Sequence, residues 1–232
     1  MNKLMTFTSK ILRKEQLTKD IIKLSLSRPK DFEFSAGQFI SVRCKKGNDE
    51  KWRSYSILNE PSHKESIDLC IKTNPDGFGS AFFLNVKTGD ELEVRGPMGH
   101  FKLDLKTEEK EQVFLAAGTG IVPFYSMIKE HVSKNSEIKF TLYFGVRRKE
   151  NLLFYDELKE LSQKYDNFTF HQVLSREKNW EGLKGHVQDN LPEDVSGKIF
   201  YICGLKELVL ETEELLLNKG VNKENIKKER YS

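Results

Sequence analysis

The sequence predicts two domains, an antiparallel β-barrel followed by an α/β domain with a parallel sheet. The chain has 232 residues, 38% of them hydrophobic and 31% charged, which allows one or two packed domains. Short apolar stretches bounded by turn residues fill the first half, whereas apolar strands alternate with longer helical stretches in the second. A charged stretch near residues 105–111 separates the halves, so we expect domains at 1–107 and 108–232.

Four short strands and one helix are predicted in the first half. The strands, each bounded by Gly, Pro, Asn or Asp, are 38–44, 53–58, 66–73 and 91–94. In the third of them Ile67, Leu69 and Ile71 alternate with polar or small residues, the pattern of a half-buried strand. A short helix is expected at residues 80–86. Short strands separated by turns are typical of a small antiparallel barrel.

Strands and helices alternate through the second half. The apolar strand 112–117 leads into a Gly-Thr-Gly turn, and residues 121–133 follow as a helix. The next elements are strand 139–144, helix 152–165, strand 168–174, strand 198–203, helix 207–218 and edge strand 226–231. Such alternation predicts a parallel sheet with helices on both faces.

Charge and cysteine content exclude several classes of function. The net charge of +3 is too mild to favour a nucleic-acid partner, and no apolar run approaches the roughly 20 residues that cross a membrane. The three cysteines, Cys44, Cys70 and Cys203, are too few and too far apart for a disulfide framework, a zinc site or an iron–sulfur cluster. The start of the chain lacks the apolar core of a signal peptide. We therefore expect a cytoplasmic protein without a bound metal.

A Gly-Thr-Gly turn opens the first helix of the second half. Gly118 and Gly120 would let the backbone approach a pyrophosphate, and the helix N-terminus would present free N–H groups to it. Pro123 suits the first turn of that helix, where its missing N–H is not needed. With Thr119 these residues form a candidate dinucleotide site. A tight strand–helix turn is the alternative.

Arginines follow the next two strands of this domain. Sheets that bind NAD often place an acidic residue there to hold the ribose hydroxyls, whereas an arginine accommodates the 2′-phosphate of NADP. Here Arg147 and Arg148 follow one strand, and Ser175 and Arg176 follow the next. The pattern favours NADP, and ordinary solvated loop charges are the alternative.

One predicted strand of the first half combines a cation, a ring and two hydroxyls. The two-residue period puts Arg53 and Tyr55 on one face and Ser54 and Ser56 on the other. An arginine can clamp a phosphate, a tyrosine ring can stack on a flat ligand, and a serine supplies one adjustable hydrogen bond. A plain barrel strand is the alternative.

A glycine-rich turn precedes the predicted helix of the first half. Gly77 and Gly79 flank Phe78, and Ser80 would cap the helix N-terminus. Free N–H groups at a helix N-terminus bind anions, so this turn is a second candidate phosphate site. A simple turn with its cap is the alternative.

Five motifs occur in a fixed order along the chain. They are Arg53-x-Tyr-Ser, Gly77-Phe-Gly-Ser, Gly96-Pro-Met-Gly, Ala117-Gly-Thr-Gly-Ile-Val-Pro and Tyr201-Ile-Cys-Gly. This set resembles the ferredoxin–NADP reductase superfamily over nearly the whole chain. The resemblance implies a flavin-binding, six-stranded antiparallel barrel followed by a nucleotide-binding α/β domain.

The resemblance also implies contacts between the barrel and a flavin. The residues expected to make them are Arg53, Ser54, Tyr55, Ser56, Cys70, Ile71, Lys72, Gly77, Gly79 and Ser80. Tyr55 would stack on the isoalloxazine, Arg53 would meet a flavin phosphate, and Ser56 would hydrogen-bond near the reactive nitrogen N5. The backbone of residues 70–72 would line the ribityl chain. Gly79 and Ser80 would cap the pyrophosphate.

Matching positions in the second half imply contacts with a nicotinamide nucleotide. The residues concerned are Gly118, Thr119, Gly120, Pro123, Arg147, Ser175, Arg176, Cys203 and Gly204. Cys203 would sit beside the nicotinamide ring, and Ser175 with Arg176 would contact a 2′-phosphate. Glu229 and Tyr231 resemble the Glu-x-Tyr end of plant-type reductases, where the terminal aromatic residue covers the flavin. An edge strand with surface charges is the alternative for this segment.

These motifs lead to an expected function. The chain would transfer hydride from NAD(P)H, with NADPH favoured, to bound FAD, although FMN also fits. Electrons would then pass to a one-electron carrier such as ferredoxin or flavodoxin on a separate chain. The catalytic candidates are Ser56, Cys203 and Glu229.

Two other functions remain open. The motif Trp180-Glu-Gly182, followed by Gly185-His-Val187, resembles reductase components of oxygenases, many of which prefer NADH. The chain would then be the NADH-dependent electron-transfer component of an oxygenase or of a multi-subunit complex. The other alternative is a non-enzymatic regulatory subunit that binds flavin or nucleotide.

Overall fold

The computed structural model describes residues 3–74 and 76–231. Its contacts divide the chain into two compact units. The first comprises Met1–Leu103 with Tyr125–Glu130, and the second comprises Asp104–Phe124 with His131–Ser232. The domain boundary expected after residue 107 stays a prediction.

The first unit is built on an antiparallel sheet. Its strands are β1 (Met5–Thr18), β2 (Ile21–Ser27), β3 (Phe39–Lys46), β4 (Asp49–Ser56), β5 (Ser66–Lys72) and β6 (Glu91–Met98). They form one six-stranded sheet in the order β4-β3-β6-β1-β2-β5. The two outer strands approach at a bridge between Ile57 and Leu69, which curls the sheet into a half-barrel. The predicted antiparallel barrel is confirmed.

Strands β1 and β2 are absent from the prediction based on periodicity alone. Of the 14 residues of β1, only Ser9 and Ile11 are buried, so its sequence carries no long apolar alternation. In β2 the adjacent buried residues Ile21 and Ile22 interrupt the two-residue period. The resemblance supplied the count of six strands that the periodicity did not.

Helix α1 (Phe78–Asn85) packs against the half-barrel. Phe83 is fully buried in the barrel core. The C-terminal end of the helix is held by Lys14 of β1, whose Nζ donates to the carbonyl oxygens of Leu84 at 2.9 Å and Val86 at 3.0 Å. This lysine supplies the positive charge that the last turn of the helix lacks.

The second unit is built on a parallel sheet. Its strands are β7 (Glu111–Ala117), β8 (Lys139–Val146), β9 (Phe168–Leu174), β10 (Leu183–Lys184), β11 (Lys198–Leu205) and β12 (Ile226–Tyr231). Its helices are α3 (Tyr155–Lys164) and α4 (Lys206–Asn218), and helix α2 (Ile121–His131) begins in this unit, whereas its residues Tyr125–Glu130 belong to the first. The sheet order is β10-β9-β8-β7-β11-β12, and every pair is parallel. The predicted α/β domain is confirmed, with the two-residue strand β10 as an addition.

Helices cover both faces of this sheet. Phe114 of β7 stacks on Phe124 of α2, with 5.0 Å between the ring centroids. The neighbouring Val113 points to the opposite face and joins a buried cluster with Leu208 and Val209 of α4. The strand order reverses between β7 and β11, and ligands of such sheets bind at the carboxyl ends of the strands at that point.

The cysteines are buried free thiols. Burial raises the pKa of Cys44 and of Cys70 to about 12, so both thiols stay protonated at neutral pH. Within residues 3–74 and 76–231, no helix is long and apolar enough to cross a membrane.

Candidate cofactor sites

Strand β4 places Arg53 and Tyr55 on one face of the first unit's sheet. The two residues lie opposite Val42 and Ile40 of β3, both fully buried in the barrel core. The ring of Tyr55 packs edge-on against Phe83, with 5.2 Å between ring centroids and 88° between ring planes. Burial raises the pKa of the Tyr55 hydroxyl, so this group is neutral at physiological pH.

Helix α1 reaches this face at Gly79. A Cβ atom at Gly79 would lie 2.4 Å from Oη of Tyr55 and 3.2 Å from Cγ of Arg53, so a larger residue would displace them. The first N–H groups of the helix, at residues 78–80, have no carbonyl partner within the helix. Its first turn also contains no acidic residue. The guanidinium of Arg53, the ring of Tyr55 and the N–H groups at the start of α1 therefore lie close together. Such groups bind a ligand that combines a phosphate with an aromatic ring system.

The guanidinium of Arg53 is available to an anion. Its carbon Cζ lies 5.4 Å from the centroid of the Phe78 ring, and Nη1 donates to the carbonyl oxygen of Trp52 at 3.1 Å. Among the residues that the structure describes, no carboxylate forms an ion pair with it. Nζ of Lys51 lies 5.1 Å from the centroid of the same ring. Sequence reasoning missed Lys51, although it stands two residues before Arg53 and so shares its face.

Ser56 and the end of β5 lie beside this cluster. Ser56 is 6% exposed and ends β4. The antiparallel bridge between Ile57 and Leu69 places Ser56 opposite Cys70. The structure thus brings the predicted residues 70–72 next to the predicted Arg-x-Tyr-Ser strand, as one wall of a candidate flavin site.

The structure contradicts one predicted side-chain role, the helix cap at Ser80, and agrees with the predicted face of Ser54. Ser54 lies on the opposite face from Arg53, as the two-residue period predicts, with its Oγ 2.9 Å from Oγ of Ser41. Ser80 does not cap helix α1, because the N-cap is Gly77 and the Ser80 hydroxyl donates to the carbonyl oxygen of Lys72 at 2.8 Å. The predicted cap is therefore wrong. Ser80 instead fastens the helix to the end of β5.

The turn between β7 and α2 has the form expected for a pyrophosphate site. Gly118, Thr119 and Gly120 form a single 3₁₀ turn that continues into α2. Gly118 has φ of +55°, a conformation that glycine adopts without the cost paid by other residues. Pro123 lies in the first turn of α2, as predicted.

Gly120 lets this turn approach strand β11. A Cβ atom there would lie 2.1 Å from the carbonyl oxygen of Cys203 and 3.0 Å from Cα of Gly204. The register places Cys203 opposite Ala116 of β7. The structure thus brings the two motifs of the second unit together at the carboxyl ends of β7 and β11, where the strand order reverses.

Cys203 lies next to the last strand of the sheet, β12. It lies opposite Glu229 of β12, and Tyr231 is two residues further along that strand. Burial, and then the charge of Glu229, raises the pKa of the Cys203 thiol well above its usual value, while a hydrogen bond with Tyr231 acts in the other direction. The thiol is therefore neutral, which excludes a role as a thiolate nucleophile. The predicted residues Cys203, Glu229 and Tyr231 form one cluster.

A cationic cleft lies at the ends of β9 and β10. It measures ≈ 350 Å³ and is lined by Leu174, Ser175, Arg176, Glu177, Lys178, Lys184 and Gly185. The lining contains three cations and one carboxylate. The predicted residue Arg147 does not line the cleft; its carbonyl oxygen accepts from the N–H of Arg176 at 2.8 Å, and its side chain is exposed.

Sequence reasoning missed the two lysines of this cleft. Lys178 follows Arg176 by two residues in the same loop and could have been included on that ground. Lys184 is brought in by the parallel pairing of β10 with β9, which sets it opposite Leu174. No sequence spacing signals such a contact.

Comparison with known families covers both units. The family described as the oxidoreductase FAD-binding domain matches residues 8–103, and the oxidoreductase NAD-binding domain matches residues 114–214. FAD and a nicotinamide nucleotide are therefore the cofactors of the chain. Both candidate sites contain groups that suit these ligands, including the glycine approaches at Gly79 and Gly120.

Known proteins of similar sequence and fold agree with the two family matches. Ferredoxin–NADP reductase B of Sorangium cellulosum (strain So ce56) is 29% identical over 97% of each chain. A crystal structure of a ferredoxin NADP+ reductase from Neisseria gonorrhoeae, with bound FAD and NADP, has a TM-score of 0.86 at 26% identity and is covered over 98% of its length. A component of the Na+-translocating NADH-quinone reductase of Marinomonas sp. (strain MWYL1) is 30% identical over 84% of the present chain. The chain spans 51% of that component's length.

The two matched families, the antiparallel half-barrel with its converging phosphate-binding groups, and the parallel sheet with its glycine turn lead to one assignment. The chain belongs to the ferredoxin–NADP reductase superfamily of NAD(P)H-dependent flavin oxidoreductases.

Proposed function

We propose that the chain prefers NADPH and passes its electrons to a separate one-electron carrier of the ferredoxin or flavodoxin type. The cationic cleft carries the proposal on nucleotide choice. Arg176, Lys178 and Lys184 line it with the hydroxyl of Ser175, and Glu177 is its single carboxylate. A 2′-phosphate offers the negative charge that such a cleft attracts, whereas NAD offers only ribose hydroxyls.

The first 107 residues would hold FAD, whose bound flavin accepts hydride from NAD(P)H and releases electrons singly. Arg53 and the N-terminal N–H groups of α1 would bind the phosphates, and the Tyr55 ring would pack on the isoalloxazine. Ser56 would donate a hydrogen bond near the reactive nitrogen. The backbone of residues 70–72 would contact the ribityl chain.

Residues 108–232 would hold the nicotinamide nucleotide. The turn of Gly118, Thr119 and Gly120 would bind its pyrophosphate at the N-terminus of α2. Cys203 and Gly204 would shape the nicotinamide end. Because the Cys203 thiol is neutral, it would act through shape and exclusion of water rather than through charge.

A second candidate is supported by a separate observation. Several similar curated proteins are components of Na+-translocating NADH-quinone reductases, and the chain spans about half the length of each. The stretch from Trp180 to Gly182 also resembles NADH-using oxygenase reductases. On this alternative the chain would be an NADH-dependent electron-transfer component of a larger complex.

Replacing Arg176 tests the preference for NADPH. The wild-type chain is expected to show a higher kcat/KM with NADPH than with NADH. Arg176→Gln should raise KM for NADPH about tenfold, because it removes a charged hydrogen-bond donor to the 2′-phosphate, and should leave NADH unaffected. Anaerobic stopped-flow reduction with each nucleotide measures both.

Arg13→Gln is the matched control, since it removes the same charge from an exposed residue of strand β1 outside the lining of the cleft. It should change neither nucleotide's KM. A wild-type kcat/KM for NADH equal to or higher than that for NADPH would favour the second candidate function instead.

A further inference from the structure

Strand β4 carries a second cation on the face that holds Arg53. Lys51 precedes it by two residues, so the two side chains point the same way. Nζ of Lys51 lies 5.1 Å and Cζ of Arg53 lies 5.4 Å from the centroid of the Phe78 ring. Phe78 is the first residue of helix α1. Both positive charges therefore stand at the positive end of that helix.

Two neighbouring cations of the same hairpin, Arg43 and Lys45, are neutralised by carboxylates, whereas within residues 3–74 and 76–231 Lys51 and Arg53 are not. Arg43 and Lys45 both form ion pairs with Glu50, and Nζ of Lys45 lies 3.0 Å from Oε1 of that carboxylate. In the part of the chain that the structure describes, neither Lys51 nor Arg53 pairs with a carboxylate, and the first turn of α1 has no acidic residue. Two adjacent positive charges beside a helix N-terminus repel each other, and a bound anion would relieve that repulsion.

We propose that Lys51 is a second phosphate-binding cation of the FAD site and holds the pyrophosphate together with Arg53. The inference rests on the proposed role of this site in holding FAD. A pyrophosphate carries two negative charges, which match the two cations, and riboflavin carries none. The exposed ammonium of Lys51 ends a flexible four-carbon stem, so it can leave the Phe78 ring for a phosphate oxygen.

Release of FAD from the holoprotein tests this role. Lys51→Gln is expected to raise the dissociation constant of FAD about five- to tenfold at low salt, measured by the fluorescence of FAD released on dilution. At about 1 M salt the Debye length is only about 3 Å, so the difference in FAD affinity between Lys51→Gln and wild type should shrink. Lys51→Arg, which keeps the charge, should bind FAD nearly as tightly as wild type.

Two controls separate a phosphate contact from other effects. Lys46→Gln removes the same charge from an exposed residue of the same hairpin and should leave FAD affinity unchanged. Riboflavin, added to the protein after FAD removal, should bind wild type and Lys51→Gln equally.

Three results would overturn the inference. The first is an FAD affinity of Lys51→Gln within twofold of wild type. If the rate of reduction of a protein carrier declined in that variant while FAD affinity did not, Lys51 would be a docking residue for the carrier. The second is an equal loss of FAD affinity in Lys46→Gln. The third is an equal loss of riboflavin affinity. A wild-type chain without FAD would instead contradict the proposed function itself.

Discussion

Replacing Gly120 by alanine is expected to lower the free energy of unfolding by about 3 kcal/mol and to abolish NADPH binding. The added Cβ would lie 2.1 Å from the carbonyl oxygen and 2.6 Å from the carbonyl carbon of Cys203. These are backbone atoms of β11, which is hydrogen-bonded to strands on both sides. They cannot move aside as the end of a flexible side chain would. The glycine turn must therefore separate from β11, and the pyrophosphate site is lost with it.

Gly118→Ala is the matched control for this change. Nothing lies within 4 Å of a Cβ atom at Gly118, so the new methyl group meets no neighbour. Only its φ of +55° is unfavourable, which costs about 1 kcal/mol. Urea unfolding of both variants and fluorescence titration with NADPH measure the effects. An unfolding free energy of Gly120→Ala equal to that of Gly118→Ala would contradict the close approach.

Tyr55→Ala is expected to raise the dissociation constant of FAD about 30-fold, equivalent to about 2 kcal/mol. The ring of Tyr55 is held by its edge-on contact with Phe83 and by the approach of Gly79 to its hydroxyl. Truncation removes both the surface on which the isoalloxazine would pack and a half-buried contact of the barrel. Hydride transfer from NADPH should slow with it, because the flavin is no longer held in one position.

Tyr55→Phe separates the ring from the hydroxyl. It keeps the ring and its contact with Phe83, so FAD affinity should stay within about threefold of wild type, as no charged hydrogen bond is lost. Dilution-induced release of FAD fluorescence gives the affinities, and far-ultraviolet circular dichroism checks the fold. If Tyr55→Ala held FAD as tightly as Tyr55→Phe, the stacking role would be wrong.

Much of the fold could be predicted because local patterns determine it. The apolar strands and helices of the second unit have the expected types, and β9 and β12 have the expected bounds. The N-terminus of α1 could not be predicted correctly. Its start at Phe78 depends on Gly77 as the N-cap, and the hydroxyl of Ser80 is taken by a carbonyl oxygen of a different strand.

The candidate sites divide in the same way. The two residues of each close approach belong to separate sequence motifs: Tyr55 and Gly79 in the flavin site, and Gly120 and Cys203 in the nucleotide site. From the sequence, only the family resemblance placed each pair in one site. Lys184 reaches the cationic cleft through strand pairing, a contact that depends on tertiary structure. The two-residue period was enough to predict that Ser54 faces away from Arg53, and its Oγ lies 2.9 Å from Oγ of Ser41.

Anaerobic mixing of the purified holoprotein with NADPH in a stopped-flow spectrophotometer tests the central claim most directly. We expect the visible absorbance of the bound flavin to decline in a rapid phase, with a larger rate constant for NADPH than for NADH. Unchanged flavin absorbance with both nucleotides would contradict the assignment of this chain as an NAD(P)H-dependent flavin oxidoreductase.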